Sequence, residues 1–265
     1  SRSRSPGAAA EAAAEAAVLL ARMQRLPRYA KVRWAQPADV NLNELFFPGT
    51  AQPIWDGGDG GGSTSSSHTL GSLRPPRIPF ALFLEEIAPT VAAELAAVLA
   101  VPGLIERLHQ ASDAFEHHSF RDEWLHIGLV RYLKWYQHAC EFFPQTCALL
   151  ASRSEVSECA NVNVLLIRLL PGRGLKPHFG NAPRLSAHLG LSTAPGASMR
   201  VGPSRVTWSA GRALVFDDTF RHSVEHVGDS PRYVLNACFC HPCDMRHPQP
   251  QGFAPPCGPG GIAFL

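Results

Sequence analysis

The chain has 265 residues, 45% of them hydrophobic and 17% charged, which is enough apolar material for one core with peripheral segments. Its net charge of +2 predicts neither a nucleic-acid-binding surface nor attraction to an anionic membrane. Because no run of about 18 uncharged apolar residues occurs, no segment is predicted to span a membrane.

Residues 1–44 are predicted to lie at the periphery of the fold. Their alanine-rich part, residues 8–25, favours a helix by propensity but gives no sharp apolar stripe. We interpret it as a marginal or linker helix rather than a partner-binding one. The domain itself is predicted over residues 45–245, and its Gly/Ser-rich segment 57–73 predicts a flexible insertion in a loop.

The segment 80–108 predicts helical structure, because apolar side chains recur at every fourth position along one face. These side chains are Phe83, Ile87, Val91, Leu95 and Leu99. Pro89 is expected in an early turn or at a break, and Pro102-Gly103 predicts a bend. Residues 124–133 are apolar and aromatic, which indicates a strand, and residues 144–150 favour a short helix. We expect the helices to pack on the outside of a sheet.

From residue 162 onward the chain consists of short apolar segments separated by turn residues. The predicted strands are 162–170, 185–193, 198–201, 206–208, 213–216, 222–227 and 233–239. Short strands at this spacing are typical of a β-sandwich or jelly roll, so the fold class is α+β, mainly β, with flanking helices. The Pro/Gly-rich residues 246–265 predict an irregular tail.

Two histidines at the edges of predicted strands, His178 and His222, are candidate iron ligands. Non-haem iron oxygenases commonly use two histidines and one carboxylate. The position two residues after His178 holds Gly180, so a metal would be held by the histidine pair, with cosubstrate and water completing the site. A surface location is the commoner fate of any one of the 12 histidines. The pair is favoured because both members border strands and Arg232 follows.

The other candidates each have a structural alternative. Arg232 is suited to holding a carboxylate in bidentate fashion, and the alternative is an ordinary surface salt bridge. His188 lies in the apolar run 185–191 and is either a core histidine or a second carboxylate ligand. Trp124 is a core residue on pattern alone. Asp217 and Asp218 are interpreted as turn residues or as groups that orient the ligands.

The chain contains seven cysteines, of which two bracket a short segment, two stand alone and three cluster near the end. They are Cys140, Cys147, Cys159, Cys257, Cys238, Cys240 and Cys243. The first two are either free thiols or one disulfide formed in an oxidising compartment. Cys240-His-Pro-Cys243 has a zinc-ligand spacing, but no second pair matches it, so structural zinc is not favoured.

These motifs resemble the aspartyl/asparaginyl β-hydroxylase family. The resemblance is carried by residues 170–178 (Leu-Pro-Gly-Arg-Gly-Leu-Lys-Pro-His), 184–191 (Arg-Leu-Ser-Ala-His-Leu-Gly-Leu) and 211–222, together with Arg232 and His241-Pro242. It extends from about residue 45 to 242. It implies a double-stranded β-helix core, a requirement for Fe(II), 2-oxoglutarate and O2, and protein or peptide substrates carrying Asp or Asn.

The resemblance also implies the role of each site residue. His178 and His222 become the iron ligands, Arg232 and His188 contact the 2-oxoglutarate carboxylates, and Trp124 forms a pocket wall. Gly180 agrees with the family, whose iron site lacks the acid. Cys140 and Cys147 match a family disulfide, and a location in the lumen of the endoplasmic reticulum is implied. Membrane attachment is expected only through an anchor missing from this chain.

Two positions depart from the family pattern. Ser186 replaces an arginine that contacts the cosubstrate, and Ile167 replaces a serine. Arg184 compensates only if its strand is regular, so that it faces the same side as Ser186. Three functions therefore stay open. They are a dioxygenase that hydroxylates Asp or Asn in proteins, a binding module with weak or no turnover, and, less favoured, a cupin-like binder of another metal.

Overall fold

The computed structural model describes residues 77–112, 124–180, 182–192 and 195–244, together with residues 43, 47, 50–56 and 257. The predicted N-terminal helix at 8–25 and the Gly/Ser insertion at 57–73 lie outside the described residues. So does the predicted tail at 246–265, apart from Cys257.

A helical layer precedes the β-rich part of the chain. Helix α1 spans Pro79–Leu99 and α2 spans Leu104–Ala111, and the predicted bend between them is confirmed by Gly103 at a φ of 72°. Proline is tolerated in the first turn of a helix, where Pro79 lies. The two expectations for Pro89 were wrong, because α1 continues through this residue.

Three short helices follow, α3 at Gln137–Cys140, α4 at Pro144–Ala151 and α5 at Ser154–Ser157. The predicted helix at 144–150 is therefore confirmed. The predicted apolar face of α1 holds at Ile87, Val91 and Leu95, which are buried, whereas Leu99 is 40% exposed. A four-residue repeat drifts around a helix of 3.6 residues per turn, which carries the last position off the buried face.

Eleven strands occur among the described residues, and the sequence predicted eight of them to within a few residues. They are β1 Ile54–Asp56, β2 Trp124–Arg131, β3 Lys134–Trp135, β4 Asn163–Leu169, β5 Gly174–His178, β6 Arg184–Gly190, β7 Ala197–Val201, β8 Ser204–Val206, β9 Ala213–Phe216, β10 His222–His226 and β11 Arg232–Cys240. Strands β1, β3 and β5 were missed. The first two are very short, and β5 has a half-exposed, proline-containing sequence.

The strands form two antiparallel sheets. The larger has the order β1-β9-β6-β11-β4-β2-β3, and the smaller has the order β5-β10-β7-β8. Apolar side chains from both sheets form one core between them, among them Leu165 and Ile167 of β4, Met199 of β7 and Val224 of β10. This arrangement is the predicted double-stranded β-helix, or jelly roll.

The larger sheet is buried on its other face as well. There the apolar side chains of α1, such as Leu84 and Val91, join one core with those of the sheet, such as Ile127 and Leu235. This confirms the expected helices outside the sheet. No single described helix is long and apolar enough to cross a membrane. Helices α1 and α2 meet that test only when taken together, and they are bent by 105°.

Six of the seven cysteines form three disulfides: Cys140–Cys147, Cys159–Cys240 and Cys243–Cys257. The first confirms the pairing implied by the resemblance. The interpretation of Cys159 and Cys257 as isolated was wrong. Because Cys240 and Cys243 are in disulfides, neither can bind zinc as a thiolate. The pairing of Cys159 with Cys240 could not be predicted from the sequence, because only the alignment of β4 with β11 brings the two residues together. Cys238 is a free, buried thiol.

Candidate active site

A pocket of about 320 Å³ opens between the two sheets. Its lining includes four of the five predicted site residues, namely His178, His188, His222 and Arg232. The fifth, Trp124, begins β2 opposite Leu169. The side chain of Trp124 is not among those described, so its role stays a prediction.

The two candidate ligands lie side by side on adjacent strands of the smaller sheet. His222 of β10 pairs with His178 at the end of β5, and their ring centroids are 4.2 Å apart. In each residue Nδ1 lies 2.8 Å from the backbone carbonyl oxygen two residues earlier, that of Lys176 or of Phe220. If each Nδ1–H donates to that oxygen, each Nε2 keeps its lone pair. This tautomer and this orienting contact are typical of metal-bound histidine.

The electrostatics of the pair also suit a metal. Burial, together with the nearby His178, lowers the pKa of His222 to about 3, so its ring is neutral at pH 7. Metal ligation requires neutral imidazole. Among the described residues no cluster of three or more His, Cys, Asp or Glu side chains has the spacing of a metal site. His178 and His222 are the candidate metal ligands of the pocket, and this role stays a prediction.

The position of the missing acid is already filled. A Cβ atom at Gly180 would lie 2.6 Å from the carboxyl atoms of Asp218, and the Gly180 N–H donates to the Asp218 carbonyl oxygen. Oδ2 of Asp218 accepts from Nε of Arg184 at 3.1 Å. Asp217 has the expected turn role, since its Oδ1 accepts from the backbone N–H and the hydroxyl of Thr219. No side chain at position 180 fits without displacing Asp218.

Arg232 is the most unusual charge in the pocket. It is 2% exposed, and its guanidinium carbon lies 3.5 Å from the ring centroid of Trp208. Burial lowers its pKa to about 9, so it remains a cation at pH 7. Among the described residues its Nε has no acceptor, and no carboxylate forms an ion pair with it. This burial is inconsistent with the surface salt bridge considered for Arg232, and a buried cation of this kind calls for an anionic ligand.

His188 combines the two roles considered for it. It is a buried core residue, and it also lines the pocket. Its Nδ1 lies 3.3 Å from Nε1 of Trp208 and 3.5 Å from Nη2 of Arg232, two donors that place the ring proton on Nε2. Burial, with Arg232 next in importance, lowers its pKa well below the usual value. His188 is thus a neutral hydrogen-bond donor beside the Arg232 cation.

Strand β6 is regular, which was the condition for Arg184 to face the same side as Ser186. It pairs with β11 without a register shift, and Arg184, Ser186 and His188 all line the pocket. Arg184 is nevertheless engaged, because its Nη1 donates to the Asn161 carbonyl oxygen and its Nε to Asp218. The Ser186 hydroxyl donates to Oδ1 of Asn236 at 2.8 Å.

Sequence reasoning missed three polar residues of the pocket lining and the tryptophan whose ring lies against Arg232. They are Asn163, Trp208, Asn236 and Cys238. Two of them carried a usable signal, since Asn236 and Cys238 follow Arg232 at even spacing along β11 and so share its face. Asn163 and Trp208 lie on other segments and carried no such signal.

The fold and the site together define a jelly-roll domain whose pocket joins a histidine pair to a buried arginine. The family model described as Aspartyl/Asparaginyl beta-hydroxylase matches residues 85–242. The chain belongs to this family.

Named relatives agree with the family match. The chain is 32% identical over 124 residues to the aspartyl/asparaginyl beta-hydroxylase of Mus musculus. The aligned region covers 46% of this chain and 17% of that protein. The chain is 34% identical over 125 residues to aspartate beta-hydroxylase domain-containing protein 2 of Homo sapiens, covering 45% and 34%. It is 39% identical over 100 residues to the domain-containing protein 1 of Homo sapiens, covering 36% and 25%. The matches thus span about a third or less of these relatives.

Solved structures that match part of the chain include an oxidoreductase of the 2OG-Fe(II) oxygenase family from Burkholderia pseudomallei. Its identity is 14% and its TM-score 0.38, and the match covers 63% of this chain and 93% of that one. A viral collagen prolyl hydroxylase from Paramecium Bursaria Chlorella virus-1 matches with 12% identity and a TM-score of 0.30, covering 45% and 80%.

Proposed function

We propose that this chain is an Fe(II)- and 2-oxoglutarate-dependent dioxygenase that hydroxylates an Asp or Asn residue of a protein or peptide. The observation that carries the proposal is one pocket that contains both a histidine pair in the tautomer suited to a metal and a buried arginine. The described residues provide that arginine with no carboxylate. A metal at one end and a cation at the other match the two ends of a 2-oxoacid with a distal carboxylate.

In this proposal the chain's own residues bind and orient the reactants. His178 and His222 hold the iron, and their Nδ1 contacts to backbone carbonyl oxygens fix both rings. Arg232 binds the distal carboxylate of 2-oxoglutarate, with the Nε2–H of His188 as a second donor. The Trp208 ring stacks under the guanidinium and fixes its plane.

The rest of the pocket limits access of water to the reacting groups. Apolar side chains of both sheets line it, among them Ile167, Leu175, Met199 and Val224. When bound, Fe(II) with 2-oxoglutarate and O2 supplies the oxidation of an unactivated C–H bond, which no protein side chain can perform. The chain binds and orients the reactants, and its apolar pocket lining limits access of water.

A binding module with weak or no turnover is the second candidate. The observation in its favour is that Ser186 donates to Asn236 and Ile167 is apolar, so position 186 supplies no cation and position 167 no hydroxyl for the cosubstrate. Arg232 and His188 would then bind the cosubstrate carboxylate without the help that the family pattern provides. A cupin-like binder of another metal is the third candidate function. Elemental analysis of the purified protein distinguishes it from an iron protein.

Mass spectrometry of candidate peptides distinguishes the first two functions. The Fe(II)-loaded chain is incubated with 2-oxoglutarate, O2 and peptides that contain Asp or Asn. We expect the gain of one oxygen atom on a peptide and the matching formation of succinate. Metal-dependent binding of 2-oxoglutarate without oxygen gain on any peptide would favour the binding module, whereas turnover would exclude it.

We also propose that the domain works in the lumen of the endoplasmic reticulum. The support is the set of three disulfides, since such bonds form and persist in oxidising compartments. Fluorescence microscopy of the full-length protein with lumenal and cytosolic markers tests this location. Protease protection in isolated microsomes is expected for the domain, and digestion without detergent would contradict it.

A further inference from the structure

A row of uncharged polar side chains crosses the pocket wall of the larger sheet. Cys238 of β11 stands opposite Asn163 of β4 on one side and Ser186 of β6 on the other. Ser186 is in turn opposite Phe216 of β9, whose ring centroid lies 5.4 Å from that of His222. The row therefore extends across three strands, from Asn163 to Ser186, and the Phe216 ring lies between its Ser186 end and His222.

Every member of this row is neutral. Burial raises the pKa of the Cys238 thiol to about 11, so it stays protonated. The Ser186 hydroxyl is already used as a donor to Asn236, which lines the pocket next to the row. A ligand group that reaches this wall meets amide, hydroxyl and thiol groups, and no net charge.

Asn163 has an unfilled hydrogen-bonding requirement. The residue is 5% exposed and lines the pocket, and its Oδ1 is fully buried without a hydrogen-bond partner among the described residues. A buried carbonyl oxygen is normally satisfied, and an unsatisfied one favours a ligand that brings an N–H or O–H. A carboxylate brings neither.

The nearest cation does not alter this preference. The charge of Arg184 is balanced by Asp218, in an ion pair of 3.1 Å between side chains that are 11% and 8% exposed. A second carboxylate at Arg184 would approach Asp218 as well, and like charges in a buried site repel. A neutral side chain avoids this cost.

We propose that this row is the subsite for the reacting side chain of the substrate and that it selects a carboxamide, so that asparagine is preferred to aspartate. This inference rests on the proposed function. The substrate amide N–H donates to Oδ1 of Asn163, and its carbonyl oxygen accepts from the neutral donors of the same wall. Asn163 is then a specificity-determining residue that contacts the substrate and has no part in binding the metal.

Binding without turnover tests the inference. The Mn(II)-loaded chain with 2-oxoglutarate, held without O2, is incubated with two peptide pools that differ only in a central Asn or Asp. Mass spectrometry measures the retained members. We expect the Asn pool to be retained about tenfold more than the Asp pool, the size of effect that one satisfied buried acceptor gives. Equal retention, or a preference for Asp, would overturn the inference.

Two variants at position 163 identify the source of the preference. Asn163→Leu removes both hydrogen-bonding atoms and is expected to bring the ratio close to one. Asn163→Asp keeps the shape and an acceptor, so it is expected to retain the Asn pool and to reject the Asp pool further. Asn161→Leu is the matched control, because the side chain of Asn161 is not in the pocket lining. An unchanged ratio in both variants at position 163 would contradict the role of this residue.

Parallel titration of 2-oxoglutarate separates this inference from the proposed function. If 2-oxoglutarate binds in a metal-dependent manner and no peptide of either pool is retained, the carboxamide subsite is refuted while the cosubstrate site stands. If 2-oxoglutarate itself fails to bind, the proposed function is refuted together with the inference.

Discussion

A buried arginine without a carboxylate is the most informative single residue of this chain. Removing a guanidinium from water costs several kcal/mol unless a partner compensates, typically about 3–5 kcal/mol when a buried pair is left incomplete. The described residues give Arg232 only the Trp208 ring and His188 Nδ1. The folded protein thus carries a cost that binding of an anion removes.

Replacing Arg232 should separate stability from binding. We expect Arg232→Met to leave the melting temperature of the ligand-free protein unchanged or higher, because the uncompensated charge is gone and an apolar side chain of similar length fills its place. The same variant should lower the affinity for 2-oxoglutarate by about 100-fold or more. Arg168→Met is the control, since Arg168 pairs with Glu106 instead. Wild-type affinity in Arg232→Met would contradict the assignment.

Gly180 and Asp218 should behave as one unit. An alanine Cβ at position 180 would lie 2.6 Å from the Asp218 carboxyl group, so Gly180→Ala is expected to destabilise the protein by about 1–3 kcal/mol. The cost should largely disappear when Asp218→Ala is already present, because the obstructing group is then absent. Chemical denaturation of the four proteins of this double-mutant cycle measures the coupling. Simple additivity would show that Asp218 does not exclude a side chain at 180.

His241 provides a pH test outside the pocket. It is fully buried, its ring stacks on Phe47 at 4.2 Å, and its Nδ1 accepts the Cys243 N–H. Burial lowers its pKa to about 3, with Asp244 opposing the shift. An unfolded histidine titrates near about 6.5. Between these values only the unfolded chain binds the proton, so His241 makes the free energy of unfolding fall as the pH is lowered through this window.

The variant His241→Phe keeps an aromatic ring at this position and cannot titrate. Its free energy of unfolding, measured by denaturation at several pH values between about 7 and 4, should therefore fall less steeply than that of the wild type. The difference between the two proteins should change steadily across this range. A difference that is independent of pH would mean that His241 does not titrate differently in the folded and unfolded chains.

At the scale of secondary-structure elements, the disulfides stabilise unequal lengths of chain. Cys159–Cys240 links residues 81 apart, whereas Cys140–Cys147 links residues only 7 apart. A crosslink that closes a longer loop restricts the unfolded chain more, which corresponds to about 4 kcal/mol for the former and about 2 kcal/mol for the latter. The former also joins the segment before β4 to the end of β11, the two central strands beside the pocket.

Removing each bond as a pair of cysteine-to-alanine changes tests this difference. We expect Cys159→Ala with Cys240→Ala to lower the free energy of unfolding by about 2 kcal/mol more than Cys140→Ala with Cys147→Ala. Denaturation followed by circular dichroism measures both. Equal losses, or a larger loss at the short loop, would show that loop length does not set the stabilisation here.

The elements that the sequence predicted best are those with a strong local pattern. Strand β9 was located to the residue, and β4, β6 and β11 to within a few residues, because apolar runs bounded by turn residues specify buried strands. Strand β5 lacks such a run, since its Lys176-Pro177 is exposed. It forms because β10 pairs with it across a long sequence separation, which no local pattern reveals.

At the scale of the whole molecule, the predictable part of the site is the part that a motif encodes. His178, His188, His222 and Arg232 were all named from the sequence, and the structure brings all four to one pocket. The contacts that give these residues their properties were not predictable. Trp208 under Arg232, and Asp218 against Gly180, depend on how distant strands align.

The two sheets thus assemble a metal-suited histidine pair and an uncompensated cation in a single pocket. That pairing is the central claim, and calorimetric titration of 2-oxoglutarate into the Mn(II)-loaded protein without O2 tests it most directly. We expect binding that requires the metal and that is lost in His222→Ala with the fold intact. Absence of binding in the folded wild-type protein, or equal binding in His222→Ala, would contradict it.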